Sequence, residues 1–159
     1  MLNGRDKNQF DRVWQKKAEQ DAVPRVYQPG NERVDQALRI IPPGNRFLDI
    51  GCGTGILAEM LKERYTEVHG VDIAEMPVQI ACQKGVQALV HNLNAAPLPY
   101  EDQYFDLVSM LSVIQYFYDP GEALQEVNRV LKPSGALLLA APSMRTYWRI
   151  GKLALLGTF

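Results

Sequence analysis

The chain has 159 residues, 47% of them hydrophobic, which is enough to bury one core and form one domain. Its formal net charge of −1 gives no electrostatic ground for a nucleic-acid partner, whose binders usually carry a basic patch. No run of about eighteen apolar residues marks a membrane span, and the polar start "MLNGRDKNQFDRVWQKK" lacks the apolar centre of a secretory signal.

Phe10, Val13, Trp14 and Lys17 recur at helical spacing and predict a short amphipathic helix over 5–20. "VPRVYQPGN" breaks it, and Asn31 then caps a helix that turns Val34, Ala37, Leu38 and Ile41 inward until Pro42, Pro43 and Gly44 end it. Phe47, Leu48 and Ile50 suit a central strand of a parallel sheet. Gly51, Gly53 and Gly55 follow, where a β-carbon would block tight torsions and close approaches. "ILAEMLKER" continues as a helix with Ile56, Leu57, Met60 and Leu61 in its stripe, and backbone N–H groups at its start favour an anionic group. "EVHGVD", 67–72, is a second strand ending in an acid. A weak helix over 76–83, a third strand in "VQALVHN", a loop in "AAPLPYEDQ" and a fourth strand over 104–111 come next. Asp119-Pro120-Gly121-Glu122 has the logic of a capping box. "KPSG" stops the helix it opens, and "ALLLAA" is a fifth strand. Cys52 and Cys82 lie in no metal-ligand spacing and suggest no disulfide framework, so a reduced cytoplasmic chain without a metal site is expected.

Alternating strands and helices imply an α/β fold, a doubly wound and mainly parallel sheet with helices on both faces. Ligands in such sheets sit beyond the carboxyl ends of the strands, where Asp49 to Gly55, Asp72, His91 to Asn94 and Leu111 onward fall. The dinucleotide fingerprint G-x-G-x-x-G is not met, because Ile56 holds the sixth position and Gly55 comes one residue early. No Lys-Ser or Lys-Thr follows, so a P-loop is excluded. A tight turn without a ligand stays open. Asp72, about twenty residues after the turn, can accept from both ribose hydroxyls, cap a helix, or face solvent.

"LDIGCGTG", "VHGVD", "PLPYEDQYFDLV", "SVIQYFYDP" and "EVNRVLKPSGALLLAAPS" occur in this order. With them the chain, over about residues 30–143, resembles class I S-adenosylmethionine-dependent methyltransferases. The likeness is to small-molecule enzymes of the quinone-biosynthesis kind, and the N/D-P-P-Y signature of DNA and amino-group methylators is absent. The resemblance implies a Rossmann-like fold, S-adenosyl-L-methionine as cofactor and S-adenosyl-L-homocysteine as product. It places Asp49, Gly51 and Gly53 around the methionine portion, with Cys52 and Gly55 of the same turn among the cofactor-binding residues. Asp72 would hold the ribose and Ile73 the adenine face. Asn92 would accept from the adenine amino group with Leu93 next to it, Asn94 being a rival alignment. Leu111 and Ser112 would border the methionine portion.

Methyl transfer from a sulfonium is an in-line displacement that needs alignment in a water-poor site, and a base only if the acceptor must lose a proton. No residue announces itself as that base. His91 reads as a strand-end histidine, Tyr116 and Tyr118 as core or rim aromatics, and Cys52 as a small packed residue. Tyr27 and Trp14 belong either to an N-terminal lid or to packing. The reading is methyl transfer to a small-molecule acceptor, one that can be lipid-like. Its alternatives are a non-catalytic S-adenosylmethionine-binding adaptor or sensor and an NAD-dependent oxidoreductase, the latter disfavoured by the glycine spacing. Residues 1–30 form an N-terminal helical segment or lid, 31–143 the cofactor-binding core, and 144–159 an amphipathic segment. That last stretch, "MRTYWRIGKLALLGTF", cannot supply the usual C-terminal antiparallel strand pair. The outer edge of strand five is therefore expected to need another partner, through truncation or association into an oligomer.

Overall fold

The computed structural model describes residues 5–20, 23, 27–28, 30, 32–141 and 152–156. The Asn31 cap and most of the 144–159 segment lie outside these residues. Among the described residues six strands form one sheet in the order β3-β2-β1-β4-β5-β6. They are β1 (Gly44–Ile50), β2 (Tyr65–Asp72), β3 (Gln87–Val90), β4 (Phe105–Leu111), β5 (Leu131–Ala141) and β6 (Lys152–Leu156). The first five run parallel, and β6 pairs antiparallel with β5. The helices are α1 (Arg5–Glu19), α2 (Glu32–Ile40), α3 (Ile56–Met60), α4 (Glu75–Gln83) and α5 (Pro120–Val130).

Side chains alternate across each strand, so one apolar run feeds two cores. Phe47, Leu107 and Leu138 join Ala37, Leu57 and Ala81 of α2, α3 and α4 on one face. Leu48, Val108 and Leu137 join Val127 and Val130 of α5 on the other. Each such fully buried Leu or Phe contributes roughly 1.5–3 kcal/mol. The capping box is realised in part: Asp119 Oδ1 accepts from Gly121 N at 2.7 Å and Glu122 N at 3.2 Å, ahead of Pro120.

Three expectations need correction. The helix read over "ILAEMLKER" is only the five residues of α3. The Tyr65 ring, buried against Phe47 with its hydroxyl donating to Pro42 O at 2.7 Å, draws the chain into β2 early. "KPSG" does not separate α5 from strand five, because β5 starts directly at Leu131. The pairing jumps from Phe105↔Leu131 to Leu107↔Ala136, so residues 132–135 are an irregularity inside the strand, tied by Lys132 Nζ to Asp106 Oδ1 at 2.6 Å. Third, β5 does not need a partner from elsewhere. Lys152–Leu156 covers its outer edge in register Leu137↔Leu156 to Ala141↔Lys152. Among the described residues one antiparallel strand is present, and that part of the terminal segment packs on the chain's own sheet.

Candidate functional site

Beyond the carboxyl ends of β1, β2, β3 and β4 lie two hollows of about 380 Å³ and 200 Å³ that share Trp14, Arg33, Gly51, Gly53 and Leu111 in their walls. The larger takes in Asp72, Ile73, Asn92, Leu93 and Ser112, the smaller Asp49, Cys52 and Thr54. The structure thus gathers ten of the eleven expected residues around one cleft. Gly55 is outside it. A β-carbon there would lie 2.8 Å from Ala81 Cβ, so this glycine serves the contact of the turn with α4.

The turn itself is wound tightly, with φ of +74° at Gly51 and +53° at Gly53. Its N–H groups point inward. Gly51 N and Cys52 N donate to Val71 O at 2.8 and 3.0 Å, Gly53 N to Asp72 Oδ2 at 2.9 Å, and Gly55 N to Cys52 O at 2.9 Å. These amides of the turn are therefore not presented to an anion. The glycines act here by leaving space: a β-carbon on Gly51 would stand 2.8 Å from Val113 Cγ2.

Two carboxylates flank the turn, Asp49 buried and Asp72 half-buried. Asp49 accepts from Ser109 Oγ at 2.5 Å, and burial pushes its pKa up to about 7, the Ser109 bond opposing and the Asp72 charge adding to the rise. Asp72 at the end of β2 accepts from Gly53 N and, through Oδ1, from Ala74 N at 3.0 Å; burial raises its pKa too. The Asp72 carboxylate keeps accepting capacity for a further donor.

The loop after β3 settles its own geometry. Asn92 Oδ1 accepts from Asn94 N at 3.0 Å. Both ends of the Asn94 amide are engaged elsewhere, Nδ2 donating to Tyr116 O at 3.1 Å and Oδ1 accepting from Tyr118 N at 3.0 Å. His91 pairs its Nε2 with Ala96 O at 3.0 Å. Tyr116 and Tyr118 are exposed at the rim, 51% and 47%. Tyr27 donates to Asp35 and packs on the core, outside the cleft walls.

Sequence reasoning missed Arg33, whose Nη1 donates to Ser112 Oγ at 2.6 Å from the wall of both hollows. Its place on a helix before the first strand carries no local motif. Ser109, which holds Asp49, was equally silent inside an apolar strand. Ser112 has φ +59°, an uncommon backbone state for a non-glycine residue that tends to persist where surroundings enforce it. α1 closes the cleft from above. The Trp14 ring passes 3.4 Å from where a Gly53 β-carbon would stand, and Phe10 meets Tyr116 edge-on at 5.1 Å.

A family model described as a methyltransferase domain matches residues 48–139. The ubiquinone biosynthesis O-methyltransferase of Pseudomonas putida is 32% identical over 107 residues, which are 64% of this chain and 46% of that protein. The protein of the same name from Pseudomonas fluorescens is 31% identical over 115 residues, 69% of this chain and 47% of that one. The chain spans about half the length of the curated relatives it matches. Among solved structures, a SAM-dependent methyltransferase of Thermotoga maritima, described as a possible histamine N-methyltransferase, aligns with a TM-score of 0.60 and 33% identity over 70% of this chain and 50% of its own. The YcgJ protein of Bacillus subtilis aligns with a TM-score of 0.62 and 28% identity over 69% and 50%. With the matched region running from the first strand through the fifth, the chain belongs to the methyltransferase-domain family, whose cofactor is S-adenosylmethionine.

Proposed function

We propose that the cleft binds S-adenosylmethionine and that the chain transfers its methyl group to a small-molecule acceptor. The observation that carries this reading is the pair of carboxylates either side of the glycine turn, Asp49 buried and Asp72 half-buried, each with accepting capacity left, beside one guanidinium. The cofactor, when bound, supplies a methyl group on a positively charged sulfur. Asp72 holds the ribose hydroxyls, while Ile73, Asn92 and Leu93 frame the adenine. Asp49 faces the ammonium, Arg33 the carboxylate of the methionine portion, and Leu111 and Ser112 border it.

Catalysis is then positioning. His91 is turned to Ala96, and no histidine or carboxylate is assigned as a base. The acceptor side is walled by Phe10, Val13, Tyr116 and Phe117, which suits an apolar, lipid-like molecule such as a quinone precursor. The reading keeps residues 31–143 as the cofactor-binding core and α1 as its lid. It also keeps a cytoplasmic setting: both cysteines are free, and among the described residues no helix is long and apolar enough to cross a membrane. Calorimetry should show S-adenosylhomocysteine binding, and labelled S-adenosylmethionine should lose its methyl group to a quinol-containing extract. Absence of binding overturns the reading, and binding without transfer favours the non-catalytic alternative.

The raised pKa of Asp49 has a definite sign. Between an ordinary carboxylate value of 3.8 and about 7 the folded chain keeps a proton that the unfolded chain releases. Its contribution to stability therefore falls as pH rises through that window and is level above it. An ammonium favours the ionised form, so S-adenosylhomocysteine affinity should rise by up to about tenfold per pH unit below 7, with proton release. Calorimetry in buffers of different ionisation enthalpy checks this, and Asp49→Asn should flatten the profile.

A further inference from the structure

We infer that Asn94 is a positioning residue that transmits cofactor occupancy to the acceptor-side loop 112–118; this rests on the cofactor reading above. The loop supplies Val113, Tyr116 and Phe117 to the wall of the cleft and is tied down at several points. Ser112 N donates to Ala140 O at 2.7 Å, which fixes its start on β5. Arg33 holds the Ser112 hydroxyl from α2, on the methionine side. Gln115 Nε2 donates to Ser112 O at 2.7 Å and closes the 3₁₀ turn Ile114–Tyr116 on its own start. At the far end Asn94 grips two backbone groups, Tyr116 O and Tyr118 N.

Asn94 is in turn the end of a chain of bonds that begins at the expected ribose site. His91 N donates to Asp72 O at 2.8 Å, and Asn92 Oδ1 accepts from Asn94 N. A ligand that braces Asp72, Asn92 and Leu93 therefore braces Asn94, and through it the loop. The two tethers reach the loop from opposite ends of the cofactor cleft, one from the adenine side and one from the methionine side. Occupancy of the cleft orders the acceptor wall, and by reciprocity an ordered wall tightens cofactor binding. Asn94 touches the loop with both amide atoms, which gives the rival alignment a structural role.

Hydrogen exchange read by mass spectrometry tests this, with S-adenosylhomocysteine as the probe. In the unsubstituted chain, saturation should slow exchange across 116–118 by about tenfold or more. In Asn94→Ala the slowing should fall below about twofold while S-adenosylhomocysteine affinity falls by no more than about tenfold, the same factor by reciprocity. Asn94→Asp keeps an oxygen for Tyr118 N and should restore slow exchange at that amide; it also carries the test if the alanine variant does not fold. Bound ligand with unchanged exchange at 116–118, or full protection in the alanine variant, overturns the inference. No binding at all removes the cofactor reading and this inference with it, a result distinguishable from the other two.

Discussion

Gly53→Val is expected to abolish S-adenosylhomocysteine binding, with affinity falling by more than about a hundredfold, near 2.7 kcal/mol, while the sheet survives. The β-carbon itself is tolerable, since the nearest atoms are Trp14 ring carbons at 3.4 and 3.6 Å. The backbone decides the matter. At φ +53° a β-branched residue is a genuine outlier, a strain of about 1–3 kcal/mol. Relieving it rotates the peptide whose N–H holds Asp72 Oδ2, and the added methyl groups stand in the cleft shared by both hollows. Calorimetry with circular dichroism on the same sample checks this. A folded valine variant that binds normally would place the cofactor elsewhere.

Asp72→Ala is expected to weaken the same ligand by about 1.5–3 kcal/mol, roughly tenfold to a hundredfold, the scale of hydrogen bonds to a charged group. The loss is twofold in kind. The ribose loses its acceptors, and Gly53 N and Ala74 N lose the carboxylate that joins the glycine turn to the start of α4. Asp72→Asn, which retains one accepting oxygen, should fall between the two. Unchanged affinity in a folded alanine variant would sink the ribose assignment.

Much of this was legible from residue pattern because pattern reports burial. Phe47, Leu48 and Ile50 are apolar since both faces of β1 are covered, and an acid within the last two residues of each of the first two strands marks its carboxyl end. What could not be read depends on contacts far apart in the chain. Arg33 meets Ser112 across 79 positions, and no spacing rule reaches that distance. Asn92 was preferred over Asn94 by alignment alone, and the bonds of Asn94 to the loop after β4 could not be read from spacing. The inward bonds of the turn were equally silent: Val71 O and Asp72 Oδ2, brought alongside by parallel pairing, take up the amides of Gly51, Cys52 and Gly53. The short strand β6 was missed because "KLALL" is equally apolar as helix or strand, and the open edge of β5 made the choice.

The position of β1 between β2 and β4 shapes the order in which the molecule can assemble. Phe47 pairs with Val68 on one side, a closure of about 21 residues, and with Leu107 on the other, about 60 residues on. By loop entropy alone the second closure costs roughly 0.9 kcal/mol more, and such long-range pairing slows folding. The β1–β2–β3 half, with both flanking carboxylates and the glycine turn, is thus favoured to form first. Leu111 and Ser112 arrive only when β4 docks. The cleft is then a late product of folding, and a ligand spanning its two halves recognises the finished sheet alone. Such a ligand stabilises the native chain by mass action, in proportion to the logarithm of its concentration over its dissociation constant.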